Sequence, residues 1–232
     1  MVVYWLEQRE ADVPAHDDWL SAGEALVLKG MRFAKRRADW RLGRWTAKRA
    51  LAEYLNVAGG PQALTAIEIA AAPSGAPEAA VADKPAPVTI SLSHRAGRAI
   101  CAIAQPGAVL GCDLELIEPR SDAFAGDYFT AEEQALVARA TAADRYRLLA
   151  LLWSAKESVL KALRVGLRMD TRSVIVSLCD GLPDGNGGDW HPLAARYEGQ
   201  AFRGWWRDHG SYLRTVMGAP APGVPIPLAI RV

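Results

Sequence analysis

The stretch "LLWSAKESVLKAL", residues 151–163, predicts a helix with one face in a core and another face that carries charge. Apolar residues recur at helical spacing and predict the buried face: Leu152, Ala155, Val159 and Leu163. Glu157 and Lys161 are four residues apart, so a helix places them on one shared face. Lys156 projects at the edge of the apolar face, where a lysine is unexpected.

These charges do not establish a site by themselves. As a solvated surface pair, Glu157 and Lys161 would contribute only about 0.2–0.5 kcal/mol. Lys156 would be ordinary if its stem lay on apolar surface while its ammonium reached water. The alternative is that the three residues bind a charged ligand or take part in chemistry. The other motifs of the chain are needed to choose between these interpretations.

Composition narrows the class of protein. The chain has 232 residues, enough for one large domain or two small ones, and a net charge of +1, which gives no overall attraction to nucleic acid or anionic lipid. Its start lacks the apolar core of a signal peptide, and no run approaches the ~18 apolar residues of a membrane span. The cysteines have no metal-like spacing and favour a reducing compartment, so we expect a cytoplasmic protein without membrane contact.

The pattern along the chain mixes strands with helices. We predict helices at residues 17–30, 31–55, 130–140 and 151–163, and strands at residues 2–6, 88–94, 98–104, 109–117, 173–178 and 212–218. Loops are expected at residues 71–87 and 179–189, and the Pro-rich tail is expected to run along the surface. The fold class is therefore predicted as α+β, with two similar α/β halves at residues 1–106 and 107–232.

The segment "GCDLELIE" places Asp113 and Glu115 two residues apart in a predicted strand. In a strand both side chains point to the same face, where like charges repel each other. A divalent cation would relieve this repulsion, and Mg²⁺ is commonly bound through one or two carboxylates together with substrate phosphates. Charged residues on an exposed strand edge remain the alternative.

Further groups of residues suit an anionic ligand. Ser93 and His94 end a predicted strand and would hydrogen-bond to phosphate oxygens, unless they are solvated turn residues. The segment between residues 29 and 49 is strongly basic, with Asp39 as its only acid. Its basic residues are Lys29, Arg32, Lys35, Arg36, Arg37, Arg41, Arg44, Lys48 and Arg49. The segment indicates a polyanionic ligand or an acidic partner, or else a solvated basic face.

Together these motifs resemble the surfactin-type (Sfp-type) 4′-phosphopantetheinyl transferases. The family's G-x-D-x-E strand is matched by Gly111, Asp113 and Glu115, and its W-x-x-K-E-x-x-x-K helix by Trp153, Lys156, Glu157 and Lys161. The element "SLSH" is similar to the family's N-[IFL]-S-H, with Ser91 where Asn is common, and "RFAKRRADWRLGR" is similar to its basic N-terminal helix. The resemblance covers roughly residues 30–180.

The resemblance implies an α+β fold with pseudo-two-fold symmetry and a transferase that moves the phosphopantetheine arm of coenzyme A to a serine of an apo acyl or peptidyl carrier protein. Adenosine 3′,5′-bisphosphate would leave. A metal is also implied, Mg²⁺ or alternatively Mn²⁺, with Asp113, Glu115 and Glu157 as its ligands, because charge must be neutralised when a diphosphate is attacked. Glu157 is also the implied base, and Lys161 the implied clamp on phosphate.

Coenzyme A contacts are implied for residues of both halves: Lys35, Arg44, Ser93, His94, Asp113, Lys156 and Lys161. Lys156 is the least defined of these, because a structural salt bridge explains it nearly as well. The family's G-K-P loop reads Gly75-Ala76-Pro77 here, so its lysine is missing. Contact with the 3′-phosphate would then depend on the segment between Lys35 and Arg44.

Other functions stay open at this point. A nucleic-acid-binding protein would use residues 29–49 but would leave the paired carboxylates unexplained. An inactive relative would bind coenzyme A or a carrier without transfer, although the three carboxylates are intact. The sequence does not say whether the carrier serves fatty-acid, polyketide or nonribosomal peptide synthesis. Because one chain would supply both walls of the cleft, we expect a monomer.

Overall fold

The computed structural model describes residues 1–179, 181–182 and 188–230, which form a mixed α+β fold. The helices are α1 Ala22–Lys29, α2 Ala34–Leu55, α3 Pro61–Leu64, α4 Asp122–Tyr128, α5 Ala131–Arg139 and α6 Ala142–Ala162. The strands are β1 Tyr4–Arg9, β2 Ile67–Ala71, β3 Pro77–Val81, β4 Lys84–Pro85, β5 Thr89–Arg95, β6 Arg98–Ala104, β7 Val109–Leu116, β8 Val174–Leu178, β9 His191–Tyr197, β10 Gln200–His209, β11 Tyr212–Ala219 and β12 Ile226–Pro227. Within these described ranges, we find no helix with both the length and the apolar character of a membrane span.

The first part of the chain packs α2 against a sheet with the strand order β12-β1-β6-β5 and against β2 of a small sheet with the order β2-β3-β4. Apolar residues of α2, among them Ala47 and Leu51, share a buried cluster with Leu6, Ile90 and Ile103 of the first sheet. The beginning of α2, which carries the basic residues, stays at the surface. The helix therefore uses its later turns as an anchor and leaves its first turns beside the end of β5.

The second part of the chain packs α6 against a sheet with the order β7-β11-β10-β9-β8, in which neighbouring strands are antiparallel. Leu152 and Val159 of α6 lie in a buried cluster with Phe202, Trp206 and Leu213 of the sheet. This anchors the apolar face that the spacing predicts, while Lys161 near the end of α6 reaches Ser93 of β5 in the first part of the chain.

The two parts meet where β5 and β6 lie beside β7. A buried apolar cluster bridges them: Val3, Trp5, Ile100, Ala102, Ala104, Leu110, Cys112, Leu114 and Val216. At one edge, the carboxylate of Glu7 accepts hydrogen bonds from Arg98 and from Arg214. The tail returns as β12 and pairs parallel to β1, so the last residues complete the sheet of the first part.

Each part contains a buried glutamate that caps one helix and binds a lysine of the next. Glu24 belongs to the capping box that begins α1 at Ser21, and its carboxylate pairs with Lys48 of α2 and accepts a backbone hydrogen bond from Ile69. Both lysine and glutamate are almost completely buried. The first part thus joins two helices and a strand through a single carboxylate.

The second part repeats this arrangement. Glu133 belongs to the capping box that begins α5 at Thr130, its carboxylate pairs with Lys156 of α6 at 2.8 Å, and it accepts a backbone hydrogen bond from Val176. Lys156 is fully buried and also donates to the carbonyl oxygens of Thr171 and Val174. The repetition involves corresponding elements: a capped helix, the long helix and the strand that follows it.

The structure differs from the expected elements in several places. The helix expected at residues 17–30 begins only at Ala22, because Ser21 caps it. The expected loop at residues 71–87 contains β3 and β4, while α4, β9 and β10 were not foreseen. The predicted loop at residues 179–189 lies mostly outside the described residues. The tail pairs with β1 instead of only running along the surface.

Gly111 of β7 sits where α6 comes closest to the sheet, and we expect Gly111→Ala to destabilise the protein. A Cβ at this position would lie 1.8 Å from the carbonyl oxygen of Ser158 and 2.7 Å from the backbone nitrogen of Ala162. Backbone atoms of a packed helix cannot give way cheaply, so the cost should reach about 3 kcal/mol, the upper end of ordinary overpacking. In thermal unfolding this corresponds to a fall in Tm of about 6–12 °C.

The matched control for this substitution is Gly126→Ala in α4. A Cβ at Gly126 meets no atom within 4 Å, and the residue is exposed. Alanine there should stabilise the helix by up to about 1 kcal/mol. A Gly111→Ala variant that melts with the wild type would show that α6 does not approach β7 this closely.

Candidate active site

Asp113, near the middle of β7, is the most buried carboxylate of the site, with 3% of its surface exposed. Its Oδ1 atom accepts hydrogen bonds from Ser93 Oγ of β5 at 2.7 Å and from Lys161 Nζ of α6 at 2.7 Å. Among the described residues, its Oδ2 atom has no hydrogen-bond partner although it is buried. One carboxylate thus joins the three elements and keeps an oxygen available.

Lys161 lies on the last turn of α6 and reaches back to β5 and β7. Its Nζ atom lies 2.7 Å from Asp113 Oδ1 and 3.0 Å from Ser93 Oγ, and 27% of its side chain is exposed. Desolvation lowers the pKa of Lys161, but the carboxylates of Asp113 and Glu157 outweigh it, and the net shift is upward. The residue therefore stays protonated and places a positive charge inside the site.

Glu115 points to the same region as Asp113, as the strand spacing predicts, but both of its oxygens are engaged. Trp153 Nε1 donates to Oε1 at 3.1 Å, and Arg120 Nη2 donates to Oε2 at 2.9 Å, with Arg95 Nε 3.5 Å away. Burial and then Asp113 raise the pKa of Glu115, while the two arginines oppose the rise. The carboxylate is held at the rim by an indole and two guanidinium groups.

Glu157 lies one turn before Lys161 on α6 and is partly buried. Burial raises its pKa to about 7, the negative charges of Asp113 and Glu115 add to the rise, and Lys161 opposes it. A carboxylate with a pKa near neutrality changes its protonation state easily and can accept a proton in this pH range. Sequence spacing placed Glu157 and Lys161 on one face, and the structure brings that face to Asp113.

A cleft of about 690 Å³ adjoins these residues and is lined by α2, β5 and the loop before β3: Phe33, Lys35, Arg36, Asp39, Trp40, Gly43, Arg44, Ala70, Ala71, Gly75, Pro77, Leu92, Ser93 and His94. Lys35 is exposed and pairs with Asp39 at 2.7 Å. Arg44 stacks on the Trp40 ring at 4.8 Å. The cleft is thus basic and aromatic along α2, and Ser93 and His94 of β5 line it as well.

His94 lies where the cleft meets the carboxylates. Desolvation lowers its pKa, and the positive charges of Lys161 and Lys35 act in the same direction, while Asp39 and Asp113 oppose them. The imidazole is therefore biased toward its neutral form, in which one ring nitrogen donates and the other accepts a hydrogen bond. It suits a ligand oxygen that carries negative charge.

Several basic residues of the segment 29–49 do not serve the cleft. Arg41 is tied to Asp17 at 2.7 Å, and Lys48 is buried against Glu24. Arg37 donates to the carbonyl oxygen of Leu28. Only part of the segment is therefore an exposed basic surface, which weakens the main observation behind the nucleic-acid-binding alternative.

Lys156 does not reach the cleft, contrary to the expectation that it contacts the cofactor. Its ammonium is fully buried on the far side of α6 and is held by Glu133 and two carbonyl oxygens. Desolvation lowers its pKa, and the hydrogen bond and charge of Glu133 oppose this. The sequence left a structural salt bridge as an alternative role for Lys156, and the structure contains that salt bridge, with Glu133.

The residues of the site could hold a metal ion through two carboxylates, whereas the motif implies three. Within the described residues, no three His, Cys, Asp or Glu side chains converge closely enough to hold one. Glu115 is engaged by Trp153 and Arg120, whereas Asp113 offers a buried oxygen without a partner, and Glu157 carries a raised pKa beside it. Two carboxylates suit Mg²⁺ when substrate phosphates and water complete its shell.

Sequence reasoning missed the arginines that hold Glu115 and the aromatic partner of Arg44. Arg95 directly follows His94 in β5, and Arg120 follows the D-x-E strand by a few residues. Both are basic residues next to recognised motifs, and that position was the available signal. Trp40 lies four residues before Arg44, a spacing at which side chains meet on a helix.

Comparison with known proteins agrees with this geometry. No curated protein matches the chain in a sequence search. A family model matches less than half of the chain, from the beginning of β7 through α6 to β10, and this part contains Asp113, Glu115, Glu157 and Lys161. Residues 109–206 match the family model of the 4′-phosphopantetheinyl transferase superfamily.

Proposed function

We propose that this protein transfers the 4′-phosphopantetheine arm of coenzyme A to a serine of an apo acyl or peptidyl carrier protein and releases adenosine 3′,5′-bisphosphate. The observation that carries the proposal is the meeting of Asp113, Glu157 and Lys161 at the end of a basic cleft. Carboxylates that can bind a metal ion and accept a proton lie beside cations that can bind phosphate. An attack on a diphosphate requires both kinds of group.

Each residue has a role in this reaction. Glu157 accepts the proton of the carrier serine, since its raised pKa suits a base near neutrality. Ser93, His94 and Lys161 hold phosphate oxygens at the mouth of the cleft. Asp113 and Glu157 would hold Mg²⁺, or Mn²⁺ in its place, which neutralises charge on the diphosphate. Glu115, a ligand in the motif, would first have to release Arg120 or Trp153.

The nucleotide end of coenzyme A would occupy the cleft beside α2. Lys35 and Arg44 supply positive charge there, and the Trp40 ring supplies a flat apolar surface. The loop at Gly75-Ala76-Pro77 lines the same cleft without a charged side chain, so the 3′-phosphate depends on α2.

We further propose the Sfp-type subfamily, with pseudo-two-fold symmetry between halves 1–106 and 107–232. The support is the repeated capping glutamate and buried lysine, Glu24 with Lys48 and Glu133 with Lys156, at corresponding places in the two parts. Because Ser93 of the first part and Asp113 and Lys161 of the second part meet in one site, the chain would act as a monomer. The returning β12 strand crosses the boundary between the halves.

The proposal is tested by following adenosine 3′,5′-bisphosphate chromatographically. The protein is incubated with coenzyme A and Mg²⁺, with and without a panel of apo carriers from fatty-acid, polyketide and peptide synthesis. Release should depend on both the carrier and the metal. An inactive relative would bind coenzyme A but release nothing with any carrier.

Lys35→Ala should raise the KM for coenzyme A far more than the KM for 3′-dephospho-coenzyme A. Lys35 is exposed at the cleft, with Asp39 as its ion-pair partner, and the proposed contact is to the 3′-phosphate. A lost contact between charged groups costs about 1.5–3 kcal/mol, which is roughly 10- to 150-fold in KM. Steady-state kinetics with both substrates measures the difference.

Lys29→Ala is the control, because this basic residue of the same segment does not line the cleft. It should leave both KM values unchanged. If Lys35→Ala handles both substrates as the wild type does, the 3′-phosphate is held by other residues and the placement of the nucleotide is wrong.

A further inference from the structure

Lys161 and a divalent cation would compete for the same carboxylate. In the structure, the ammonium of Lys161 lies 2.7 Å from Asp113 Oδ1 and is further held by Ser93 Oγ at 3.0 Å. Asp113 is 3% exposed, so little water screens its interaction with a nearby charge. Among the described residues, no other cation lies as close to Asp113 Oδ1. Lys161 is therefore the group that neutralises this carboxylate.

The position of this ammonium opposes metal binding at the free oxygen of Asp113. The two oxygens of one carboxylate are about 2.2 Å apart by covalent geometry. A divalent ion on Oδ2 would then lie within a few ångströms of a fixed positive charge. Repulsion between them is strong in a partly buried site, where the effective dielectric constant is far below that of water. Metal alone should therefore bind weakly.

The side chain of Lys161 also has space to move away from Asp113. It lines a second cavity of about 290 Å³ together with Ser91, Leu92 and Leu110. The side chain is 27% exposed and has a flexible four-carbon stem. A diphosphate at the mouth of the cleft would offer the ammonium new anionic partners, and Asp113 would be released.

We propose that Lys161 is the resident counter-ion of Asp113 and makes metal binding conditional on the diphosphate of the co-substrate. The inference rests on the proposed function, because it takes the diphosphate from coenzyme A. Lys161 then has two successive partners, the carboxylate in the free protein and a phosphate oxygen in the complex. The site would thus avoid capturing a metal ion without substrate.

The test is a titration of the purified protein with Mn²⁺, in which electron paramagnetic resonance measures the free ion. Without coenzyme A, Lys161→Met should bind Mn²⁺ at least about tenfold more tightly than the wild type at pH 8, because the competing cation is gone. Lys161→Gln is the second variant, since it keeps a hydrogen-bond donor for Asp113 without the charge. Thermal unfolding of each variant first establishes that it is folded.

Arg164→Met is the matched control. Arg164 follows the same helix and pairs with the exposed Glu78 at 3.3 Å, so the substitution removes a nearby positive charge without touching Asp113. It should change Mn²⁺ affinity less than about twofold. Equal or weaker Mn²⁺ binding in both Lys161 variants would overturn the proposal.

A second arm measures how coenzyme A changes Mn²⁺ affinity. Linkage requires that coenzyme A tighten Mn²⁺ binding in the wild type, and that this coupling be smaller in both Lys161 variants, where no ammonium has to be displaced. Equal coupling in all proteins would also overturn the proposal. These binding measurements do not use a carrier, so a failed transfer assay with intact coupling would reject the proposed function and leave the competition standing.

Discussion

Glu157→Gln should lower kcat for transfer by about 10²–10⁴-fold, the loss expected when a general base is removed. The substitution keeps the size and the helix propensity of the side chain nearly unchanged, so any loss comes from the charge. Coenzyme A binding should persist, because Lys35, Arg44 and His94 line the cleft independently of Glu157. Single-turnover kinetics with a carrier and isothermal titration with coenzyme A separate the two effects.

The same variant makes a prediction about stability that does not depend on turnover. The pKa of Glu157 is raised from 4.5 to about 7, so the folded protein favours the protonated form. The stability from this group is present below pH ~4.5 and is lost as the pH rises through about 7. Glutamine resembles the protonated form. In metal-free buffer, Glu157→Gln should therefore melt above the wild type at pH 8, and the difference should shrink toward pH 5.

The control for Glu157→Gln is Glu132→Gln, at an exposed position on α5. It should retain the kcat and the melting profile of the wild type. A Glu157→Gln variant that keeps wild-type turnover would reject Glu157 as the base. A variant that melts well below the wild type at pH 8 would show that Glu157 makes stabilising contacts.

Lys156→Met should lower the free energy of unfolding by about 3–5 kcal/mol, because it leaves Glu133 buried without its cation. For a protein of this size, the fall in Tm is about 6–20 °C. Thermal unfolding measures it. Below the melting transition, the variant should still bind coenzyme A with wild-type affinity, since Lys156 does not line the cleft.

The double variant Lys156→Met with Glu133→Gln should recover part of the lost stability. It removes the unpaired charge, and the single glutamine oxygen can accept one of the two backbone hydrogen bonds, from Thr130 or from Val176, that the two oxygens of Glu133 accept. No recovery would mean that the loss has another source. A Lys156→Met variant with wild-type stability and lost coenzyme A binding would instead show that Lys156 contacts coenzyme A in the cleft.

The adjacent residues 156 and 157 show how far the sequence predicts this site. Helix periodicity places Glu157 and Lys161 on one face, because it fixes which residues of one element share a face. Only the family resemblance put that face beside Asp113 of the strand. The same periodicity leaves Lys156 at the edge of an apolar face. Its partner Glu133 comes from another helix, and a helical wheel contains no information about that neighbour. The capping box at Thr130 predicts that Glu133 caps α5, but not that it also binds a lysine.

The missed strands have a similar explanation. β3 and β4 consist of Ala, Pro and charged residues apart from Val81, and their local propensity favours a loop. β3 is extended because it pairs with β2, and β4 because it pairs with β3. In β10, alternate residues such as Phe202 and Trp206 do face the core, but Gly204 lies between them and weakens the pattern. The glycine is needed because a Cβ there would meet the carbonyl oxygen of Val216 at 2.0 Å.

The contacts of Glu115 are the part of the site that the sequence predicts least. Its place beside Asp113 follows from strand spacing, yet its hydrogen bonds come from Trp153 and Arg120 and its second ion pair from Arg95, in three different segments. Any of these side chains would be an ordinary surface residue in isolation. Only the packing of α6 and β5 against β7 brings them to one carboxylate.

The central claim is that this protein attaches a phosphopantetheine arm to a carrier serine, and the intact mass of the carrier tests it most directly. With wild-type protein, coenzyme A and Mg²⁺, an apo carrier should gain the mass of one phosphopantetheine group, and a carrier with alanine at the acceptor serine should gain none. Asp113→Asn should abolish the gain while the protein remains folded. An unchanged carrier mass across all carrier classes, with coenzyme A bound in the cleft, would contradict the account.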